Sequence, residues 1–246
     1  MLGRIREDLK AVFDRDPAAR NWLEVVLTYP GLHALWIHHL AHWFYQKKLF
    51  TIARLISHLN RFFTGVEIHP GAGIGRRVFI DHGMGVVIGE TAEVGDDCLI
   101  YKGVVLGGVS LKKEKRHPTL ESGVVLGSNA CVLGNIVIGA HARIGSGSVV
   151  VENVPAGATV VGVPGRVVKK QTTGDLEKDL EHSDLPDPMQ DIVRGLLRIF
   201  EKYEKRLENL ETEHGIKAPE LMRDYEARLQ ELGIDDREKN HDRNPK

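Results

Sequence analysis

The sequence predicts an N-terminal α-helical domain, then a parallel β-helix of hexapeptide repeats, then a C-terminal helical extension. Three observations carry this. Apolar residues recur at helical 3/4 spacing before residue 64; an aliphatic residue then returns every six positions as far as Val150; and 20 of the 26 glycines lie between Gly65 and Gly165. The expected domains are residues 1–64, 65–170 and 171–246.

In the first domain the helical spacing runs through Trp22, Val25, Val26 and Tyr29. After a Pro30-Gly31 break it resumes through Leu32, Leu35, Trp36, His39, Leu40 and Trp43. Asp16-Pro17 reads as a helix start, with the aspartate as N-cap and proline at the first helical position. In the second domain the period is six. It passes through Ile68, Ile74, Ile80 and Val86, then Ile88, Val94, Ile100 and Leu106, then Leu120, Leu126, Val132, Ile138, Ile144 and Val150. A glycine often follows the aliphatic residue, as at Gly75, Gly89, Gly95 and Gly127. Inward aliphatics with small neighbours at this period mark a parallel β-helix, each hexapeptide forming one side of a triangular coil. In the third domain Pro186 and Pro188 mark a linker. Met189, Ile192, Leu196, Ile199, Tyr203, Leu207 and Leu210 then line one face of a charged helix; a shorter helix is expected from Pro219 to Leu232 and disorder at the end.

With 246 residues, 42% of them hydrophobic, and a net charge of −1, the chain is long enough for a sizeable core. No apolar run approaches the ~18 residues of a membrane span, and MLGRIREDLK lacks the apolar stretch of a signal peptide. A cytoplasmic protein with no membrane or nucleic-acid partner is expected. Cys98 and Cys131, each inside a valine-rich run, are expected to be buried thiols. The near-neutral charge is a cancellation: residues 1–170 carry 20 Lys+Arg against 14 Asp+Glu, and residues 171–246 carry 13 against 20.

The repeat breaks twice, and irregularities in a regular scaffold are where function is usually placed. Two extra residues fall between Ile80 and Ile88, around His82, and the polar stretch GGVSLKKEKRHPT, containing His117, separates Leu106 from Leu120 as a loop thrown out of the coil. Histidine exchanges a proton near neutral pH, best when a carboxylate orients it. Glu67 lies about one coil before His82, so a His82–Glu67 dyad is expected. His33, His38, His39 and His42 share a helix with no cysteine or carboxylate to complete a tetrahedral set. They read as packing or surface residues, and no metal is expected.

VEIHPGAGIGRRVFIDHGMGVVIGETAEVGDD, followed by VVLGGVS, RHP and GVPGRVV, resembles the serine O-acetyltransferases, as do DPAARNW and PGLHAL further upstream. The resemblance covers residues from about 10 to 168. It implies a left-handed β-helix, assembled as trimers that pair into hexamers, and the synthesis of O-acetyl-L-serine from L-serine and acetyl-CoA on the route to cysteine. His82 matches the general base and Glu67 its carboxylate partner. Asp16 and Asp81 match the carboxylates that receive the serine ammonium; Arg116 and His117 match the residues that hold the serine carboxylate and line the site. Gly107, Gly108, Ser128, Arg143 and Ser146 fall at or near coenzyme A positions, expected along one edge of the helix. A backbone N–H near Gly107-Gly108 is the expected oxyanion donor. The pocket would be shared between neighbouring subunits, so an isolated monomer is expected to be nearly inactive. Attack would be direct, with no acyl-cysteine.

Four departures stand out: glutamate rather than aspartate at 67; His39 where arginine is frequent; the long acidic tail; and an Asn-Pro-Lys ending in place of the terminal isoleucine by which family members insert into O-acetylserine sulfhydrylase, so that complex is not expected. The alternative is another hexapeptide acetyltransferase, with a sugar or antibiotic acceptor; the pair Asp16 and Asp81 suits an ammonium group instead. A γ-type carbonic anhydrase would need a His-x4-His ligand spacing, and the fifth position after His117 is Ser122.

Overall fold

A computed structural model describes residues 2–170 and 188–215. Four helices come first: α1 (Leu2–Arg15), α2 (Trp22–Thr28), α3 (Pro30–Gln46) and α4 (Phe50–Thr64). Asp16 does not cap a helix. It lies in the turn closing α1, and the N-cap of α2 is Asn21, whose side chain accepts from the Glu24 N–H at 3.0 Å. Pro17 belongs to the turn and Pro30 takes the first helical position instead, opening α3, where its missing N–H costs nothing.

The repeat then folds into stacked coils. The first is β1 (Glu67–Ile68), β2 (Gly73–Ile74) and β3 (Phe79–Ile80); the second is β4 (Val87–Ile88), β5 (Glu93–Val94) and β6 (Leu99–Ile100). The third is β7 (Val105–Gly107), β8 (Thr119–Leu120) and β9 (Val125–Leu126), and the fourth is β10 (Cys131–Leu133), β11 (Val137–Ile138) and β12 (Arg143–Ile144). After β13 (Val149–Val150), β14 (Ala158–Val161) turns back antiparallel into β15 (Arg166–Lys170). The parallel pairings define three faces, in the orders β1-β4-β7-β10-β13, β2-β5-β8-β11 and β3-β6-β9-β12-β14.

The fourteen in-frame aliphatics line the interior as one cluster, with Ile74 alone only partly buried. Between successive coils the register pairs Val87 with Val105, eighteen residues on, but Glu67 with Val87 and Val105 with Cys131. Each longer step absorbs one frame break at a corner, so the core is unaffected. On the outside, the third face presents apolar Phe79, Leu99 and Val125. These form a second cluster with Val12, Val25 and Leu32 of the helices, where burial stabilises by about 1.5–3 kcal/mol per large side chain. Arg15, at the end of α1, donates to the carbonyls of Asp97 (2.8 Å) and Cys98 (3.1 Å) and ties α1 to the same face.

Two features run against expectation. Cys98 is buried, but Cys131 is only partly so, because in β10 it is the neighbouring Val132 that points inward. Helix α4 buries Ala53, Ser57, Asn60 and Thr64 and exposes Ile52, Leu55, Leu59, Phe62 and Phe63. Ser57 Oγ donates to Ile68 O at 2.7 Å and Asn60 Nδ2 to Ala34 O at 2.9 Å, while Asn60 Oδ1 is buried without a hydrogen-bond partner among the described residues.

Residues 1–186 and 187–246 form separate compact units. The second contains α5 (Pro188–His214), whose Leu196, Ile199, Tyr203, Leu207 and Leu210 are exposed. The helix expected from Pro219 and the chain end lie outside the described residues. Among the described residues no helix is long and apolar enough to cross a membrane.

Candidate active site

The expected site residues gather at two corners of the coil. The first joins the third face to the first. Later coils turn this corner with one left-handed residue each, Gly103, Asn129 and Gly147, whereas the first coil uses three: His82 (φ 58°), Gly83 and Gly85. The two-residue insertion thereby lifts His82 out of the coil, with its side chain 76% exposed. Asp81 lies beside it, Oδ1 to Nε2 3.9 Å, and burial holds the Asp81 carboxyl above the usual carboxylate range, opposed by His82 and reinforced by Asp16.

Helix α3 brings Asp16 to this corner. A Cβ on Gly31 would sit 2.0 Å from Ile80 O, so only glycine lets the start of α3 rest on the end of β3. Tyr29, just before α3, donates from its hydroxyl to Asp16 Oδ2 at 2.6 Å, while Asp16 Oδ1 accepts from the Ala18 N–H at 2.8 Å. Burial, then this bond, then the charges of Asp16, Glu24 and Asp81 raise the Tyr29 pKa. Asp16, Tyr29, Asp81 and His82 thus form one electrostatic group.

The carboxylate recorded beside His82 is that of Asp81, and Glu67 has a different partner. The longer first coil pairs Glu67 with Val87, and the Glu67 carboxylate meets Arg61 at 2.9 Å.

The second corner joins the first face to the second and holds His69, Glu90, Thr91 and the loop ending at Arg116-His117. Arg116 pairs with Glu90 Oε2, and Tyr45 donates to Glu90 Oε1 at 3.0 Å. The guanidinium holds the Glu90 carboxyl below its ordinary value. His117 is buried, with Nδ1 2.9 Å from Thr91 Oγ1 and 3.2 Å from Thr91 N. Burial first, then Arg116, lowers its pKa. A Cβ on Gly89 would lie 2.0 Å from the His117 ring, so the imidazole occupies the space that glycine leaves. His69 packs its ring edge against Tyr45 at 5.7 Å, and burial lowers its pKa to about 4.

The five expected coenzyme A positions do not share one edge. Ser128 and Ser146 follow β9 and β12 on the His82 corner, with Arg143 on the third face beside it, whereas Gly107 and Gly108 end the first face at the His117 corner. The Cys98 thiol is pushed up to about 11 by burial, which leaves little thiolate near neutral pH.

Sequence reasoning singled out His82, Asp81, Asp16, Arg116 and His117 but not the groups that the structure places against them. Glu90 and Thr91 stand in the motif VVIGETAEV without an assigned role, and Tyr29 and Tyr45 read as ordinary aromatic residues of an apolar-rich stretch. No spacing signal marks them, since their roles depend on which coil corner each helix meets.

The family described as "Serine acetyltransferase, N-terminal" matches residues 1–36, and "Bacterial transferase hexapeptide (six repeats)" matches residues 117–151. The serine acetyltransferase of Bacillus pumilus (strain SAFR-032) is 55% identical over 206 residues, 84% of this chain and 94% of that one. That of Synechococcus elongatus is 56% identical over 85% of each chain. Among solved structures, the Neisseria gonorrhoeae serine acetyltransferase in complex with serine is 42% identical over 68% of this chain and 69% of that one, with a TM-score of 0.66. The Brucella abortus strain S19 serine acetyltransferase in complex with coenzyme A is 39% identical over 70% and 69%, with a TM-score of 0.68. With relatives more than half identical over 84–85% of its length, the chain belongs to the serine acetyltransferase family.

Proposed function

We propose that the chain transfers the acetyl group of acetyl-CoA to the hydroxyl of L-serine at a site assembled from the two corners, giving O-acetyl-L-serine for cysteine synthesis in the cytoplasm. The observation that carries the site assignment is the distribution of charge. Asp16 and Asp81 stand beside His82 at one end of the first face, suited to an ammonium group, and Arg116 and His117 stand at the other end, suited to a carboxylate. A side of about six residues at ~3.3 Å per residue separates these ends by roughly 15–20 Å, whereas one extended residue spans only ~3.5 Å. One serine therefore reaches both sets only if they come from different subunits. A trimer in which the His82 corner of one coil faces the His117 corner of the next meets this requirement and brings Ser128 and Ser146 opposite Gly107 and Gly108. The exposed apolar face of α4 offers a surface through which trimers pair into hexamers.

In the reaction, the serine oxygen attacks the thioester carbonyl while His82 takes the hydroxyl proton. The C–O bond forms, the carbonyl becomes a tetrahedral oxyanion facing backbone donors near Gly107-Gly108, and C–S cleavage then releases the coenzyme A thiolate, which recovers the proton from His82. A positioned base contributes roughly 10²–10⁴-fold to such a step. Glu67 serves as the orienting carboxylate of His82 once assembly draws it from Arg61, while Asp81 and Asp16 receive the serine ammonium. Purified protein given acetyl-CoA and L-serine is expected to release free thiol, and His82→Ala to abolish this with the oligomer intact. Activity surviving that change removes the base assignment; thiol release with a sugar but not with serine removes the substrate.

A further inference from the structure

The Thr91 hydroxyl has one proton to donate and two lone pairs to accept with. It lies 3.0 Å from the Arg116 N–H and 3.1 Å from the His117 N–H, and those two donors fill both lone pairs. Its remaining contact, 2.9 Å to His117 Nδ1, must then use the hydroxyl proton, so Nδ1 must accept. The Thr91 N–H, 3.2 Å from the same nitrogen, is a second donor aimed at it. A proton on Nδ1 would face two N–H/O–H donors with nothing to receive it.

We infer that Thr91 is a positioning residue that locks His117 as the neutral Nε2–H tautomer, making it a hydrogen-bond donor to a substrate oxygen rather than a second base. This rests on the proposed reaction only for the identity of that oxygen. The Nε2 edge lies between Gly89 and Gly108, where an added Cβ would be 2.1 Å and 3.1 Å from Nε2 respectively. The groups facing the imidazole are Arg116, Glu90, Lys115 and His69. Lys115 also donates to Thr91 O at 2.6 Å, holding the threonine backbone as its side chain holds the histidine.

The test uses full-length protein labelled with ¹⁵N-histidine, with His117→Asn identifying the His117 signals. Wild-type His117 is expected to show an unprotonated Nδ1 and a protonated Nε2 across pH 6–8. Thr91→Val, which removes the 2.9 Å hydroxyl donor and leaves only the longer 3.2 Å backbone N–H donor, is expected to populate the Nδ1–H tautomer in part and to lower kcat/KM for serine by roughly 10–100-fold. Thr91→Ser restores both. A wild-type His117 protonated at Nδ1 overturns the inference without any variant having to fold, and so does a Thr91→Val protein with an unchanged tautomer. Wild-type protein that releases no thiol with serine overturns the proposed reaction instead, and leaves the tautomer result standing.

Discussion

Tyr29 illustrates how a residue outside every motif comes to control one inside. Its hydroxyl fixes Asp16 Oδ2 while the Ala18 N–H fixes Oδ1, so the carboxylate enters the site already oriented. Tyr29→Phe removes one bond to a charged group, of the order of 1.5 kcal/mol or more. Initial-rate kinetics are expected to show KM for serine raised roughly 10-fold with kcat little changed, since the proposed ammonium contact would be made in ground and transition states alike. His82 was legible in the sequence because it interrupts a count of six. Tyr29 and Thr91 were not, because they touch their targets across 13 and 26 residues and nothing in local spacing encodes which corner a turn will meet.

Among the elements, the coil strands were the most legible, since one inward aliphatic per hexapeptide is both the sequence signal and the packing rule. Helix starts were less so: Asp16-Pro17 carries the usual signature, yet Asn21 caps α2 because Tyr29 and Ala18 engage the aspartate elsewhere. Helix α3 carries a cost of a different kind. His38 is 1% exposed, and burial first, then His39 and His42, lowers its pKa to about 3. The folded state thus resists protonation that the unfolded chain accepts at about 6.5. Stability contributed by neutral His38 is full above pH 6.5 and falls by about 1.4 kcal/mol per pH unit below it, towards the folded value. Urea unfolding at pH 7 and pH 5 should register this loss, and His38→Phe should reduce it, the remainder coming from His39 and His69, whose pKa values burial lowers to about 4.

At the scale of the whole molecule, a site divided between subunits, as proposed above, predicts complementation. His82→Ala and His117→Ala proteins are each expected to be inactive. Refolded together so that subunits mix at random, they should recover roughly a quarter of wild-type activity, because about one interface in four then joins an intact His82 to an intact His117. Mixed refolding that leaves activity at the level of the single variants would show that each chain works alone. The charge split belongs here as well. The basic charge of residues 1–170 suits an anionic acyl carrier, whereas the acidic excess belongs to residues 171–246.

The parallel stacking of the coils also makes the molecule a ruler. Each coil advances by the ~4.8 Å that separates paired strands, so the three steps along one corner from His82 to Ser146 measure roughly 14 Å. A linear ligand laid on that corner is gauged by the number of coils it crosses. Adding or removing one eighteen-residue coil between β9 and β13 would shift the far end by a single fixed increment and leave the reacting end untouched, so reach and reactivity can change independently in this scaffold.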